Sequence, residues 1–265
     1  MSSRYRVLLG CCLSASILVP SFAPAQPAAP TAPPPTAQKP QTPPKKERAD
    51  VGAIKGNPDD PNNGFLKRHE GFLKDLQATN GKVGILFVGD SITDGWRGSG
   101  KQVFAKNYGQ MDPLNIGIGG DRTQHVIWRL EHGEVEGISP KVAMLMIGTN
   151  NLGSNSNEEI AAGVTKIVEL LREKLPQTKV LLLGIFPRGM KADDPARARI
   201  KAINEQIANL DDGGKTVKYL DIGDKFLDPS GNITKDIMKD FLHPTAKGYD
   251  IWVDATKDTI KEMMK

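Results

Sequence analysis

Ser91 follows Gly89-Asp90 directly after the apolar run Val83–Val88. A serine hydroxyl attacks a carbonyl carbon only when a base takes its proton. Histidine has a suitable pKa for that, and a carboxylate must hold its ring in one tautomer. His243 and Asp240 stand three residues apart near the C-terminus, a gap that lets Asp240 fold back onto the Nδ1 side of the ring within one turn. Ser91 is therefore the candidate nucleophile, His243 the candidate base and Asp240 the orienting acid. Attack on an ester creates an oxyanion, which needs preorganised donors. The backbone N–H groups of Ser91 and Gly120 and the side-chain amide of Asn150 are candidates for that role. Each residue has a plainer reading. Gly-Asp-Ser and Asn are common in turns, His243 precedes Pro244, and Asp240 could cap the same turn.

Two other function classes compete. Asp90, Asp94, Asp121, Asn150 and His243 offer oxygen and nitrogen ligands for a two-metal phosphoesterase, but histidines are too few beside the strand-end acids, His125 alone standing four residues from Asp121. A binding module with a decayed site is the third class, and the presence of all the residues named above argues against decay. His69 falls in an outer N-terminal helix. His125 and His132 lie seven apart on another, and neither has a ligand set with zinc-like spacing. The chemistry expected is metal-free and needs no cofactor.

The candidate residues sit at the ends of apolar runs. Val83–Val88 leads into Gly89-Asp90-Ser91, Leu114–Ile118 into Gly119-Gly120-Asp121, and Val142–Ile147 into Gly148-Thr149-Asn150-Asn151. Val180–Phe186 and Val217–Ile222 supply two more strands. Runs without polar alternation suit strands covered on both faces of a parallel sheet. Helical stripes lie between them: Ile160, Val164, Ile167, Val168, Leu171 and Leu175, then Ile200, Ile203, Ile207 and Leu210, then Tyr249, Trp252, Val253 and Ile260. Ser156 and Glu159 have capping-box spacing, and an outer helix is expected over residues 62–78. The alternation predicts a doubly wound, five-stranded parallel sheet in a three-layer α/β/α sandwich. Ligands in such folds gather beyond the carboxyl ends of the strands, where the polar clusters fall.

The 265 residues suffice for one core, with 38% hydrophobic and 25% charged residues. The excess of +4 lies entirely in the first fifty residues, so no basic folded face points to nucleic acid. Arg4 and Arg6 precede the apolar stretch Val7–Val19, and Ala23-Pro24-Ala25 gives an A-x-A cleavage pattern. Residues 1–25 thus read as a secretory signal, which places the protein outside the cytoplasm, secreted or periplasmic. Both cysteines, Cys11 and Cys12, would leave with it. A lipoprotein signal at Leu8-Leu9-Gly10-Cys11 is the alternative, with an apolar stretch too short for the usual pattern. Nine prolines between residues 24 and 44 mark an unfolded spacer, assigned here to residues 26–50, with the folded domain over residues 51–265. No later apolar run is long enough for a membrane span.

At these residues the sequence resembles the SGNH (GDSL) hydrolase superfamily. Ser91, Gly120, Asn150 and His243 match its four lettered motifs, and Asp240 matches the acid of its D-x-x-H block. The stretches 114–130, 148–151, 184–189 and 240–243 are similar to the catalytic subunits of platelet-activating-factor acetylhydrolase type Ib. The resemblance implies a serine esterase on a flavodoxin-like sheet. Chain adjacency puts Ile92, Thr149 and Leu242 around the carbonyl carbon that Ser91 attacks, and the resemblance implies that these positions line an acyl pocket. The expected substrate is a small acylated molecule, an O-acetylated carbohydrate or a short-acyl lipid. The leader and spacer depart from the relatives, which are intracellular. The mature chain is expected to begin near Gln26, and mass spectrometry of the exported protein checks this. A lipid-modified N-terminus at Cys11 would contradict it.

Overall fold

The computed structural model describes residues 46–265. The leader and most of the proline-rich spacer lie outside the described residues. Five parallel strands form one sheet: β1 (Ile85–Gly89), β2 (Pro113–Asn115), β3 (Val142–Met146), β4 (Lys179–Leu183) and β5 (Val217–Leu220). Their spatial order is β2-β1-β3-β4-β5. In register, Leu86 stands beside Leu114 on one flank and Ala143 on the other. The chain passes from β1 out to β2 and then back across to β3, so the switch point of the doubly wound sheet lies between β1 and β3.

Successive strand residues point to opposite faces, and the two faces bury separate cores. Leu86, Val88, Ala143, Leu145, Val180 and Leu182 pack on one side. The helices there are α1 (Gly64–Ala78), α4 (Thr123–Glu131), α5 (Asn157–Lys174) and α6 (Pro195–Ile207). Ile85, Phe87, Val142, Met144, Met146, Leu181 and Leu183 pack on the other, against α3 (Lys101–Tyr108) and α7 (Ala246–Met263). That side is rich in rings: Trp96 contacts Tyr249 at 4.2 Å and Trp252 at 5.1 Å between ring centroids. The expected capping box forms, with Ser156 accepting the Glu159 N–H and Glu159 accepting the Ser156 N–H.

The strands are shorter than their apolar runs. β2 stops at Asn115, whose side chain turns back to accept the Gly117 N–H at 2.8 Å. β4 stops at Leu183, and the Asn204 side chain then takes over both backbone groups of Ile185. The spacer boundary also moves. Lys46–Asp50, assigned to the spacer by composition, pack on the domain: Ala49 is 1% exposed, and its carbonyl accepts the Thr123 hydroxyl at 2.7 Å. Lys46 pairs with Glu159 at 2.6 Å, and Glu47 accepts from Gln124. The proline-rich run ends at Pro44, so the compositional boundary belongs there rather than at residue 50. Among the described residues, no helix is long and apolar enough to cross a membrane.

Candidate active site

The first strand ends at Gly89, where a Cβ would collide with Thr93 and with the Met146 carbonyl of the neighbouring strand. Only glycine lets the chain turn there. Asp90 then caps the short helix α2 (Ser91–Asp94), its Oδ1 accepting the Ile92 N–H at 2.9 Å. Ser91 is the first helical residue, so its own N–H lies among the unpaired donors of a helix start. The Tyr249 hydroxyl donates to the Ile92 carbonyl at 2.6 Å, tying α7 to this turn.

His243 arrives from the far end of the chain. Phe241 takes a left-handed conformation, φ 61°, which folds the Asp240-Phe241-Leu242-His243 segment into a tight turn. Asp240 Oδ1 accepts the backbone N–H of His243 at 2.8 Å and of Leu242 at 3.3 Å. Its other oxygen meets His243 Nδ1 at 2.7 Å. His243 Nε2 stands 2.8 Å from Ser91 Oγ. Burial acts to raise the Asp240 carboxyl, but the hydrogen bonds from the His243 side chain and backbone outweigh it, and the group titrates below the usual carboxylate range. An ionised acid on Nδ1 fixes the proton there, leaving Nε2 to accept the Ser91 hydroxyl.

The oxyanion candidates converge from β2 and β3. Gly120 sits at φ 72°, a conformation open to glycine. Among the described residues no acceptor takes the Ser91 or Gly120 backbone N–H. Asn150 Nδ2 donates to the Asp121 carbonyl at 2.9 Å and approaches Asp90 Oδ2 at 3.4 Å. Neighbouring Asn151, fully buried, accepts the Thr123 N–H and donates to Thr123, Gln124 and Asn155. It locks the loop after β3 to the loop after β2. Asn is so ordinary in turns that its sequence position gave no sign of this role.

The acyl-pocket expectation needs correction. Ile92 is 1% exposed and belongs to the aromatic core behind the site, so it offers no surface to an acyl group. Being next to Ser91 in the chain does not decide which way a helical side chain points. Thr149 is buried too, and Arg188 Nη1 donates to its hydroxyl at 3.2 Å and its carbonyl at 3.3 Å. Leu242 is half-buried beside His243. Arg188 had no place in the sequence argument, although it follows the β4 end just as the other clusters follow theirs.

The acids of the two-metal reading take separate places. Asp94 pairs with Arg68 at 2.8 Å and Arg97 at 2.6 Å. Asp121 accepts from buried Arg129 at 3.0 Å, Arg129 continues to Glu134, and Glu134 meets His69 at 2.8 Å. Among the described residues no group of three His, Cys, Asp or Glu side chains is gathered to hold a metal. His125 accepts the Arg122 N–H at 3.0 Å. Burial first, then the charges of Lys55, Arg122 and Arg129, push its imidazole down to about 3. His132 is exposed and stacks on Trp128.

Comparisons with known proteins meet this geometry. The model of the GDSL-like lipase/acylhydrolase family matches residues 87–251. The platelet-activating factor acetylhydrolase IB subunit alpha2 of Rattus norvegicus is 37% identical over 185 residues, which cover 70% of this chain and 78% of that relative. A GDSL-like lipase from Bacteroides thetaiotaomicron has a TM-score of 0.61 at 20% identity, covering 73% of this chain and 97% of that one. A mutant acetyl-xylooligosaccharide esterase from Geobacillus has a TM-score of 0.52 at 19% identity, covering 69% and 96%. At such identities these two structures show a shared fold alone.

Asp90 supplies a test of the buried site. Desolvation pushes its carboxyl up from 3.8 to about 7, against the pull of the Ile92 N–H and Arg188. Between these values the folded chain binds a proton that the unfolded chain has lost. The stability this contributes is fully present below about pH 4 and is lost as pH rises through about 7. Asp90→Asn removes that titration. Urea midpoints should therefore fall less between pH 4 and pH 7 in the variant than in the native protein, and an equal fall would contradict the assignment.

Proposed function

Since this chain belongs to the GDSL-like lipase/acylhydrolase family and is a carboxylic-ester hydrolase, we propose that it removes short acyl groups, acetyl above all, through an acyl-enzyme on Ser91. The observation that carries this reading is the hydrogen-bonded series Ser91–His243–Asp240, with links of 2.8 and 2.7 Å. In the proposed reaction His243 Nε2 takes the Ser91 proton as Oγ attacks the ester carbonyl. Asp240 stabilises the imidazolium that forms. The oxyanion is met by the Ser91 and Gly120 N–H groups and by the Asn150 N–H that now reaches only loosely toward Asp90. His243 then gives its proton to the departing alcohol. It takes one from a water that attacks the acyl carbon, and returns it to Ser91 Oγ as the bond to the acyl group breaks and the acid leaves.

The acetyl preference is supported by the acetylhydrolase relative and by the side chains beside the serine. Half-buried Leu242, next to His243 in the chain, is the side chain proposed to wall one side, and Arg188 hydrogen-bonds Thr149. The substrate class proposed is a small acylated molecule, either a carbohydrate O-acetyl ester or a short-acyl lipid. The leader supports a site of action outside the cytoplasm.

Ser91→Ala should cut turnover by up to about 10⁶, the cost of losing such a nucleophile, with the thermal midpoint unchanged. Asn150→Ala should cost about 10²–10³, the usual price of one oxyanion donor. Across p-nitrophenyl esters, kcat/KM should fall from acetyl to butyryl and be very low for octanoyl, and Leu242→Ala should move the optimum to longer chains. A native optimum at octanoyl would contradict the short-acyl reading.

A further inference from the structure

The Gly120 N–H can serve an oxyanion only if something aims it. Gly119 and Gly120 are consecutive glycines, so neither offers a side chain to fix the rotation of the peptide between them. Gly119 lies against the nucleophile: a Cβ built on it would stand 3.9 Å from Ser91 Cβ. Lys55 lies against Gly120, its Nζ 2.9 Å from where a Cβ on Gly120 would stand. That Nζ donates to the Gly119 carbonyl at 2.5 Å and stands 3.8 Å from Asp121 Oδ1. The Gly119 carbonyl and the Gly120 N–H belong to one planar trans peptide, in which they point in opposite directions. Holding the carbonyl therefore holds the N–H. Hydrogen bonds in series also polarise one another, so a cation on the carbonyl makes the N–H a stronger donor.

From this geometry we infer that Lys55 is a positioning residue for the hydrolysis, gripping the Gly119 carbonyl so that the Gly120 N–H faces the developing oxyanion. The inference rests on the serine mechanism above. Lys55 comes from the segment that precedes α1, outside the residues matched by the family model. It is held in place from both directions. Asn63 donates to the Lys55 carbonyl at 3.0 Å while capping α1 through the Phe65 and Leu66 N–H groups, and Ala53 donates to the Gln124 carbonyl at 3.0 Å. The placement of one oxyanion donor is thereby linked to an N-terminal strap.

Lys55 also lines a groove of about 500 Å³ with Asn57, Asn63, Phe65 and Arg68. A direct contact with substrate in that groove would alter KM, whereas aiming an oxyanion donor alters kcat. The test uses the full chain with p-nitrophenyl acetate and a boronic acid as transition-state mimic, on Lys55→Met, Lys55→Gln and Lys55→Arg. Lys55→Met should lower kcat by about 10- to 100-fold, below the loss of a whole donor, with KM nearly unchanged. Boronic-acid affinity should fall by the same factor as kcat/KM. Lys55→Gln should fall between the two, and Lys55→Arg should recover most of the rate. If Lys55→Met does not fold, the Gln and Arg variants carry the comparison. An unchanged kcat, a rise in KM alone, or a loss of rate with undiminished boronic-acid affinity would overturn the inference. Ser91→Ala run in parallel separates the two levels. Activity surviving in Ser91→Ala removes the serine mechanism itself, while an inactive Ser91→Ala beside a fully active Lys55→Met removes only the role of Lys55.

Discussion

The loops that follow β1, β2 and β3 hold one another in place through buried side-chain amides, and the site depends on those ties. Parallel strands deliver their carboxyl ends to one rim, with adjacent strands about 4.8 Å apart, but a strand end does not by itself orient the loop beyond it. Asn150 spans all three loops, donating to the Asp121 carbonyl and approaching Asp90. Asn151 binds Thr123 and Gln124 at the start of α4. Ser91, Gly120 and Asn150 therefore share one frame. His243 is brought to that frame from 152 residues away, and the Tyr249 hydroxyl on the Ile92 carbonyl fixes the helix that follows it.

The same rim carries buried charge. Asp121, Arg129 and Glu134 are all essentially inaccessible, with His69 at the outer end of the series. Desolvation pushes the Asp121 carboxyl up to about 6, while Arg129 and Lys55 pull it down. Ion pairs taken out of water are weak sources of stability. Their effect here is positional: Asp121 is anchored through its side chain, and its carbonyl is the acceptor that orients Asn150. A loop rich in glycine gains from this a definite geometry that its backbone alone would not keep.

Much of this was legible in the chain. The uniformly apolar runs 83–88, 142–147 and 180–186 gave the buried strands, because only a sheet covered on both faces needs no polar alternation. The polar clusters at their ends put Ser91, Gly120 and Asn150 on one rim of the sheet, and the three-residue spacing of Asp240 and His243 matches the hydrogen-bonded turn that joins them. Contacts set by tertiary packing were not legible. Nothing near Lys55 in sequence points to Gly119, 64 residues on, and nothing near Arg129 separates a buried partner of Asp121 from a solvated helix charge. Ile92 failed for a different reason. Adjacency to Ser91 fixed its distance from the reaction, but the helical turn sent its side chain into the core. Lys46–Asp50 read as spacer because composition cannot show that one small residue, Ala49, finds a slot beside Thr123.

The central claim is that Ser91 carries the acyl group between the two halves of the reaction. Rapid quenching of the enzyme during turnover of p-nitrophenyl acetate, followed by peptide mass spectrometry, tests it most directly. The account predicts one added acetyl group on the peptide that contains Ser91, accumulating in a burst and absent from Ser91→Ala. A steady turnover with that peptide unmodified, or an acetyl group carried on another residue, would contradict it.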